Sequence, residues 1–406
     1  MKIAFINTFW DRGIVGGAEK YLQKIVKDTA QSNEAVVIVT DKFSFRKIFK
    51  PTVEQKGNVK IYRFSPLNFT WYANLHKFPI FFRIIWYLFD IWNWHSYLMV
   101  KKILKKEQPD LVHSHNIYNL STSIFSAVKS LGIPLVHMLH DYQLIEPGGV
   151  MLRGEKIMQS LNVVEKIILN LKKKFTKNID FVIAPSNFIL NLYKEFDFFT
   201  KQKTEVIRLS SEFGDTKINC LYTKEKKVFY YLGRLSQEKG VAGLVKTFKE
   251  IKNDNIELLI AGDGPEMSKI KELSKEDPRI KLLGFVSGQE RIDLIKNSYY
   301  FILPSICYDN SPVTVYEAFS YSVPVIASKI GGIPELVMDK KTGLLFDLEK
   351  YNLKEVIEFA LDKTDLRNQL GMDAKEYYSQ NLTERKHFEK IIETYKLVIS
   401  SKSDQH

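Results

Sequence analysis

Short apolar segments alternate with helical segments along nearly the whole chain of 406 residues, and this alternation constrains the fold. Each apolar segment ends in a loop rich in glycine, proline, aspartate, asparagine or serine, as in a parallel α/β sheet. The predicted strands form two successive sets: Lys2–Asn7, Ala35–Thr40, Asp110–His113, Leu135–Leu139 and Phe181–Ala184, then Val228–Leu232, Ile256–Ala261, Ile280–Leu283, Tyr300–Leu303 and Val325–Ala327. The two sets predict two doubly wound domains whose strands end at one ligand-binding cleft.

The length of the chain also favours two domains, because 406 residues exceed the size of one ordinary hydrophobic core. We expect an N-terminal domain over residues 1–208 and a second domain over residues 209–378, joined near residues 209–225. A helical pattern over Leu382–Ile399 follows the last strand. We expect residues 379–406 to form a C-terminal helix that packs back on the first domain.

Positive charge is concentrated in the first half of the chain. Residues 1–210 contain 30 basic and 17 acidic residues, whereas the whole chain carries a net charge of +12. Lysines cluster at Lys101, Lys102, Lys105, Lys106 and at Lys172, Lys173, Lys174. These clusters indicate either solvated helix faces or a basic surface for anionic lipid or a phosphate-bearing substrate. No nucleic-acid-binding module is recognisable, so nucleic acid is not an expected partner.

Aromatic residues are unusually dense between Phe69 and Leu104. Arg83 and Asp90 interrupt this segment, so it contains no apolar stretch long enough for a membrane-spanning helix. Core packing explains many of the rings, but tryptophan and tyrosine beside lysines are also typical of a helix at a membrane interface. Peripheral membrane contact through residues 69–106 is therefore one hypothesis for this segment.

Cysteine content and the N-terminal segment bear on the compartment. Two cysteines, Cys220 and Cys307, form no disulfide framework and favour a reducing compartment. The segment Met1–Asn7 is apolar but too short for a signal peptide, and it predicts the first strand instead. We expect a cytoplasmic protein. If residues 69–106 contact a membrane, the contact is expected at the inner face of the cytoplasmic membrane.

The segment Pro304–Glu317 carries the most specific chemistry. Asp309 and Glu317 stand eight residues apart, across a turn that ends in Ser311-Pro312. A helix is predicted to start at Val313, and the unpaired N–H groups of its first turn would accept an anion. Glu317 lies one turn further and supplies acceptors for hydroxyl groups. Donors for phosphate and acceptors for sugar hydroxyls together predict a nucleotide-sugar site.

Cations and glycine-rich turns follow other predicted strands. Arg234 and Lys239 flank a turn after strand Val228–Leu232, where a guanidinium and an ammonium suit a diphosphate. The turns at 261–265 and 283–286 bring bare backbone to strand ends, where it could bond a flat base. The loop at Gly16-Gly17 lacks the G-x-G-x-x-G spacing, so a nicotinamide-dinucleotide site is disfavoured.

Histidines follow two strands of the first set. His113 and His115 come at the end of one strand, and His140-Asp141 comes at the end of the next. A metal site of His113, His115 and His140 lacks a cysteine or carboxylate spacing that would complete it, so no metal is predicted. A buried, hydrogen-bonded role accounts well for His113 and His137, and less well for His140.

Taken in order, these motifs resemble a retaining glycosyltransferase of family 4, which has the GT-B fold of two Rossmann-like domains. The resemblance covers nearly the whole chain. It rests on Gly16-Gly17-Ala18-Glu19, His115-Asn116, His140-Asp141, Pro185-Ser186, Gly233-Arg234 with Lys239-Gly240, the segment Ala261–Pro265, Leu283–Val286, Pro304-Ser305, Glu317-Ala318-Phe319, the segment Pro324–Ala327, and Gly331-Gly332.

The resemblance implies a role for each matching residue. Arg234 and Lys239 would hold the donor diphosphate and offset its charge as it leaves, with His140 and Asp309 beside the reacting sugar. The implied donor-binding residues are Gly16, Gly17, Arg234, Lys239, Gly264, Val286, Asp309, Asn310, Ser311, Pro312, Val313 and Glu317. The implied acceptor-side residues are His115, Asn116, Asp141 and Tyr142. Glu317 would bind the ribose hydroxyls, and the Val286 backbone would meet the base.

Three positions depart from the family pattern. Asp309 replaces the first glutamate of the E-x7-E signature and is one methylene shorter. Ser322 replaces a glycine that the family often has, and Glu146 stands where relatives often place a cysteine. The altered reach of Asp309 bears directly on which donor hydroxyl it meets.

The implied function is transfer of a sugar from a UDP- or GDP-sugar to a hydroxyl of a saccharide or lipid-linked saccharide, in surface polysaccharide biosynthesis. Anomeric configuration would be retained, and no metal or other cofactor is expected. Two alternatives stay open on the sequence alone. One is a sugar-nucleotide epimerase or phosphorylase of the same architecture, and the other is a non-catalytic nucleotide-sugar-binding subunit.

Overall fold

The computed structural model describes residues 1–12, 16–41, 44–68, 70–154, 156–158, 160–211 and 221–403. Cys220, Phe69 and most of the predicted connection near residues 209–225 lie outside the described residues. The chain divides into two compact units. The first comprises Met1–Val150, Gln159–Ile207 and Phe388–His406, and the second comprises Met151–Met158 and Arg208–His387.

The first unit is built on a sheet that has eight strands within the described residues. They are β1 (Lys2–Asn7), β2 (Glu34–Thr40), β3 (Thr52–Lys56), β4 (Val59–Phe64), β5 (Leu111–Ser114), β6 (Leu135–Met138), β9 (Phe181–Ala184) and β10 (Lys203–Val206). Their order is β10-β9-β6-β5-β1-β2-β4-β3, and only the pair β3–β4 is antiparallel. The chain order reverses between β5 and β1, so the loops that follow these strands diverge there and leave room for a ligand.

Helices cover this sheet. They are α1 (Gly17–Ala30), α2 (Phe45–Phe49), α3 (Ile80–Ile91), α4 (Trp94–Glu107), α5 (Ser123–Lys129), α6 (Val163–Thr176) and α7 (Asn187–Glu195). The central strand β1 is sealed from water over Ile3–Ile6, as is usual for a parallel strand with helices on both faces.

The second unit contains a parallel sheet with six strands in its described residues. They are β11 (Lys227–Leu232), β12 (Ile256–Ala261), β13 (Ile280–Gly284), β14 (Tyr300–Leu303), β15 (Val325–Ser328) and β16 (Gly343–Phe346). Their order is β13-β12-β11-β14-β15-β16, which places the reversal between β11 and β14. Both predicted sets of strands are thus found in two parallel sheets, and the predicted α/β class is confirmed.

The helices of the second unit are α8 (Val241–Lys249), α9 (Met267–Ser274), α10 (Gly288–Lys296), α11 (Val313–Ser320), α12 (Leu353–Leu361) and α13 (Thr364–Asn381). A small hairpin of β7 (Leu152–Arg153) and β8 (Lys156–Ile157) also belongs to this unit. The core side chains lie between the sheet and these helices, with Phe229, Tyr300 and Phe248 among those fully buried.

The last helix, α14 (Glu384–Ser403), begins two residues later than predicted and ends four residues beyond it. From Phe388 onward it belongs to the first unit. There the Tyr395 hydroxyl lies 2.6 Å from Nδ1 of His113, and Lys402 Nζ donates to Asp180 Oδ2 at 2.9 Å. These polar contacts fix the helix against β5 and the start of β9.

Ser322 adopts a left-handed backbone conformation at a φ of 57°. This is the position where the related family often has glycine, the residue that enters this region without a Cβ penalty. The side chain is 2% exposed, and its hydroxyl has no hydrogen-bond partner in the described residues. Both the backbone conformation and the buried hydroxyl therefore cost stability.

We predict that Ser322→Gly raises the thermal unfolding midpoint, because it relieves about 1 kcal/mol of backbone strain and removes the buried hydroxyl. Differential scanning calorimetry of the full chain measures the midpoint. Ser320→Gly is the matched control, because Ser320 is also fully buried. Ser320 lies in α11 and its hydroxyl donates to the Glu317 carbonyl at 2.8 Å, so the Ser320→Gly substitution should lower the midpoint. A lower midpoint for Ser322→Gly contradicts the assigned strain.

Candidate active site

Two loops come together at the point where the strand order of the second unit reverses. The loop after β11 and the loop after β14 are joined by a hydrogen bond from Ile306 N–H to the Glu238 carbonyl at 3.0 Å. Gly240 has a φ of +69°, and a Cβ there would lie 2.0 Å from the Pro304 carbonyl oxygen. Glycine is therefore required at residue 240, and its absence of a side chain lets the two loops approach each other.

This approach brings Lys239 and Asp309 together. Lys239 Nζ donates to Asp309 Oδ1 at 2.6 Å, and the Ser305 hydroxyl donates to the other carboxylate oxygen at 2.5 Å. Burial lowers the pKa of Lys239, but the nearby Asp309 carboxylate outweighs it and raises the pKa above the ordinary range. Lys239 is therefore a permanent cation at this edge of the sheet. The sequence identified both residues, but it did not predict their pairing or the role of Ser305.

Glycines on the other side also shape the Asp309 loop. Gly332 N–H donates to the Asp309 carbonyl at 2.7 Å, and Gly331 has a φ of +61°. A Cβ on Gly331 would lie 2.7 Å from the same carbonyl oxygen. The paired glycines after β15 thus fix the backbone of Asp309, and this fixes the direction of its carboxylate.

Arg234 lies on the same edge and is exposed to solvent. Its carbonyl accepts a bond from the Tyr231 hydroxyl at 2.8 Å, which holds the backbone while the guanidinium extends outward. The loop packs on the turn after β12. A Cβ on Gly262 would lie 1.8 Å from the Gly233 carbonyl oxygen, and a Cβ on Gly264 would lie 2.3 Å from the Leu235 carbonyl oxygen. The predicted Gly264 therefore serves this close backbone packing.

Glu317 lies on α11 and is 4% exposed. Both of its carboxylate oxygens accept from the guanidinium of Arg291, a residue of α10. Burial raises the pKa of the nearby Tyr230 hydroxyl, and the negative charge of Glu317 raises it further. Sequence reasoning missed Arg291, because nothing in a helix after β13 marks it as the partner of a carboxylate 26 residues later.

The start of α11 is the place where the sequence predicted an anion site. Pro312 is the N-cap residue, and no described side chain caps the first turn. The Ser311 hydroxyl is instead bonded to the Tyr316 hydroxyl, which lies in the same helix. Asn310 and Val313 lie on either side of this Ser311–Pro312 turn, and the first backbone N–H groups of α11 point out of the helix, where they can bond a ligand.

The predicted base-binding turn follows β13. Val286 is buried at 3% exposure, whereas its neighbour Phe285 is 73% exposed. Gly262 N–H donates to the Gly284 carbonyl at 2.7 Å, which joins this turn to the turn after β12. The exposed ring of Phe285 is an apolar surface beside the backbone that was predicted to meet a base.

In the first unit, the predicted glycine pair lies at the start of α1. Gly16 is the N-cap residue, and its N–H donates to Glu19 Oε2 at 2.8 Å. Burial raises the pKa of Glu19, and the bond from Gly16 opposes this. A Cβ on Gly17 would meet no atom within 4 Å, so packing does not demand glycine there. Open space at Gly17 is compatible with a ligand that approaches the backbone closely.

Two histidines of the first unit form a pair. His115 Nδ1 and His140 Nε2 lie 2.9 Å apart, and the ring of Tyr21 packs edge-on against His140. Burial lowers the pKa of His140 to about 3, so the imidazole stays neutral at physiological pH. His113 and His137 are buried and bonded to the Tyr395 and Ser114 hydroxyls, as their predicted structural role requires. The described residues contain no group of three or more side chains placed to hold a metal ion.

The remaining predicted acceptor-side residues lie in two loops: Asn116 follows β5, and Asp141 and Tyr142 follow β6. The Asp141 carboxylate accepts from Gln143 N–H at 2.9 Å and bonds the Tyr118 hydroxyl. Burial raises the pKa of Asp141 from 3.8 to about 7. Tyr142 is buried, and Asn116 holds its place through a bond from its N–H to the Asn7 side chain at 2.8 Å. Sequence reasoning did not identify Tyr118.

We predict that Asp141→Asn gains stability relative to the natural chain as pH rises from 5 to 8. The folded-state pKa of Asp141 lies above its unfolded value, so the folded chain binds the extra proton and loses stability as pH rises through this window. Asparagine has no such charge to bury, and the relative gain should be about 1–3 kcal/mol.

Urea unfolding followed by tryptophan fluorescence measures this difference. All five tryptophans lie in the first 94 residues, so the signal reports on the first unit. Asp197→Asn serves as the control, because that carboxylate is exposed and pairs with Lys173 at 3.1 Å. An Asp141→Asn effect that is equal at pH 5 and pH 8 contradicts a raised pKa.

Comparison with known proteins identifies the family. The model of Glycosyltransferase Family 4 matches residues 15–209, and that of glycosyl transferases group 1 matches residues 221–377. An uncharacterized 42.6 kDa protein in the cps region of Klebsiella pneumoniae is 26% identical over 340 residues, which cover 83% of this chain and 87% of that protein. The alpha-monoglucosyldiacylglycerol synthase of Streptococcus pneumoniae is 25% identical over 310 residues, or 70% and 67% of the two chains.

Among solved structures, the Anabaena protein HepE in complex with UDP superposes with a TM-score of 0.71 at 20% identity. The superposition covers 97% of this chain and 99% of that one. Both halves of the chain thus match glycosyltransferase family models, and the whole chain shares the fold of a glycosyltransferase. The predicted glycosyltransferase class and the predicted GT-B fold are confirmed: the chain belongs to the GT-B glycosyltransferases and is a hexosyltransferase.

Proposed function

We propose that this enzyme transfers a sugar from a nucleoside-diphosphate sugar to an acceptor hydroxyl, with retention of anomeric configuration. The observation that carries the proposal is the pairing of Lys239 with Asp309 at the ends of β11 and β14. The loop after β11 also carries Arg234, and the loop after β14 leads into the start of α11. The cations and amide dipoles suit a diphosphate, and the carboxylate suits sugar hydroxyls. The donor is a UDP- or GDP-sugar, and the UDP complex of HepE supports UDP.

The diphosphate would be held by three kinds of donor. The exposed Arg234 guanidinium offers a planar fork, Lys239 offers a point charge, and α11 offers backbone N–H groups. Asp309 keeps Lys239 protonated before the donor binds. Because Lys239 carries three N–H donors, it can bond a phosphate oxygen while it keeps its bond to Asp309.

The nucleoside would be held by Glu317 and by the turn at Val286. Arg291 fixes the Glu317 carboxylate and offsets its burial, so that its remaining lone pairs can accept from the ribose hydroxyls. The Val286 backbone would bond the base. Gly16 and Gly17, at the start of α1, stay predicted donor-binding residues.

In the transfer, the bond from the anomeric carbon to the diphosphate breaks and a bond to the acceptor oxygen forms on the same face. The departing phosphate oxygen takes the acceptor proton, which balances the step without a protein nucleophile. Arg234, Lys239 and the α11 dipole stabilise the charge that develops on the diphosphate. His140 stays neutral and can bond a sugar hydroxyl through either an N–H or a lone pair. Asp309 is expected to bond donor hydroxyls.

The acceptor would be a saccharide or lipid-linked saccharide, bound near His115, Asn116, Asp141 and Tyr142, in surface polysaccharide or glycolipid biosynthesis. The relative named as a synthase of monoglucosyldiacylglycerol supports an acceptor that carries lipid. The proposed location is the cytoplasm, with peripheral contact at the inner membrane face through residues 69–106. No metal is proposed, since two side-chain cations suit the diphosphate.

We predict that Arg234→Ala and Lys239→Ala each lower turnover about 100-fold, because each removes one donor that stabilises transition-state charge at about 3 kcal/mol. Release of nucleoside diphosphate from the donor, with and without acceptor, measures turnover. Lys269→Ala is the control, since Lys269 is an exposed lysine of the same unit that pairs with Glu266 at 2.6 Å. Undiminished turnover in both variants would refute the assigned roles. Isomerised donor in the reaction without acceptor would indicate an epimerase instead.

We predict that Arg291→Leu reduces the preference of the enzyme for UDP over 2′-deoxy-UDP, because the Glu317 carboxylate loses the guanidinium that fixes its direction. Titration calorimetry of both nucleotides gives the preference as a ratio of dissociation constants, which should fall about tenfold. Arg279→Leu is a control for arginine loss elsewhere in the unit, where the side chain bonds Asp277 at 2.7 Å. If the ratio is unchanged in Arg291→Leu but lower in Glu317→Gln, then Glu317 binds the ribose and Arg291 has no role in its binding.

A further inference from the structure

The helix α3 has an unusual distribution of side chains in the first unit. Its exposed residues from Phe81 onward are all apolar and lie between 39% and 65% exposed: Phe81, Phe82, Ile84, Leu88 and Phe89. Its acidic residue, Asp90, is instead 5% exposed. A surface helix of a globular protein normally places its apolar side chains inward and its charges outward, so the exposed side of α3 is unusually apolar.

The neighbouring helix α6 extends this apolar surface. Val163, Val164, Ile167 and Leu171 are each between 41% and 73% exposed, and they recur at helical spacing along one side. The helices α3 and α6 pack against each other. The exposed apolar side chains of these two neighbouring helices are together called the α3–α6 face.

The start of α4 adjoins the α3–α6 face. The ring of Trp92 packs on Phe175 of α6 at a centroid distance of 4.8 Å, and the exposed Trp94 packs edge-on against Trp92. Trp94 and Leu98 lie one turn apart on α4, and both are at least 60% exposed. Tryptophan beside an apolar surface is typical of the boundary between lipid tails and headgroups.

Basic residues border the α3–α6 face. The helices α4 and α6 carry eight lysines and two acidic residues. Lys102 and Lys105 are exposed on α4 beyond Leu98, and Lys166 and Lys174 are exposed on α6. An exposed apolar surface with cations at its border complements an anionic lipid surface, which takes up the apolar side chains and attracts the lysines.

The inner sides of the same helices hold the loops that follow β5 and β6. Lys172 of α6 is buried and donates to the Gln143 carbonyl, and Asp90 of α3 accepts from Asn119 N–H at 2.7 Å. The ring of Tyr72 packs on the buried Trp86 of α3 and stacks on Tyr118 at 4.2 Å, and Tyr118 bonds the Asp141 carboxylate. The described contacts thus run from the outer apolar surface to the predicted acceptor residues.

We propose that the α3–α6 face docks the enzyme on an anionic membrane surface, with the apolar side chains of both helices inserted among the lipids. This extends the residue 69–106 hypothesis to α6, a helix outside that range. No helix in the described residues is long and apolar enough to span a bilayer, and the docking needs none. Under the proposed function, docking places the loop at Asp141 beside acceptors that are anchored in the same membrane.

Sedimentation of the full chain with vesicles tests this proposal. We compare phosphatidylcholine vesicles with vesicles that also contain phosphatidylglycerol, using the natural chain, Phe89→Ser on α3 and Ile167→Ser on α6. The natural chain should bind the anionic vesicles, and added salt should weaken that binding. Each variant should bind about tenfold more weakly, because each removes an apolar side chain that lipid would bury. Leu397→Ser, an equally exposed leucine of α14, should bind like the natural chain.

Several outcomes overturn the proposal. These are equal binding to both kinds of vesicle, unchanged binding of either variant, or a natural chain that stays in the supernatant. A dimer that Phe89→Ser converts to a monomer in analytical ultracentrifugation would assign the face to a second copy of the chain. UDP titration of the same variants separates this result from the proposed function, since lost vesicle binding with unchanged UDP affinity affects only the docking surface.

Discussion

The ion pair between Lys239 and Asp309 depends on two loops whose backbones are so close that glycine is required where they meet. Gly240 brings the first loop against the Pro304 carbonyl, and Gly331 lets the loop after β15 support Asp309. The pair then sets the charge of the site: the carboxylate keeps the lysine protonated despite its partial burial, and the lysine fixes the carboxylate. The proposed binding of the diphosphate and the proposed contacts of Asp309 with the donor sugar both depend on this arrangement.

The first unit shows the opposite use of burial. There, burial lowers the pKa of His140 to about 3 and raises the pKa of Asp141 to about 7, so both groups are kept close to neutrality. A neutral imidazole and a weakly charged carboxyl suit the recognition of sugar hydroxyls by hydrogen bonds. The same unit leaves large apolar side chains exposed on α3 and α6, and an exposed apolar surface of this kind marks an interaction site. The proposed membrane docking and acceptor binding are therefore two consequences of how one unit distributes its polar groups.

The sequence predicted the buried strands well, because continuous apolar runs between turn residues are typical of strands buried on both faces. It missed β4, since Lys60 and Arg63 interrupt the run, and only the structure shows that the Arg63 guanidinium meets Asp11 at 2.9 Å. It likewise identified Glu317 but not Arg291, because a partner on another helix leaves no local pattern. The two cations of the proposed donor site could be identified from the sequence because both follow the end of β11. The pairing of Lys239 with Asp309 depends on loop geometry, which spacing along the chain does not contain.

The central claim is that a nucleoside diphosphate is bound by the residues at the ends of β11 and β14. Isothermal titration of the natural chain with UDP-, GDP-, ADP- and dTDP-linked hexoses tests it most directly. We expect saturable heat with at least one of these donors, and a weaker response when Lys239 is replaced by alanine. If none of the donors produces heat, the second unit does not bind a nucleotide sugar and the claim fails.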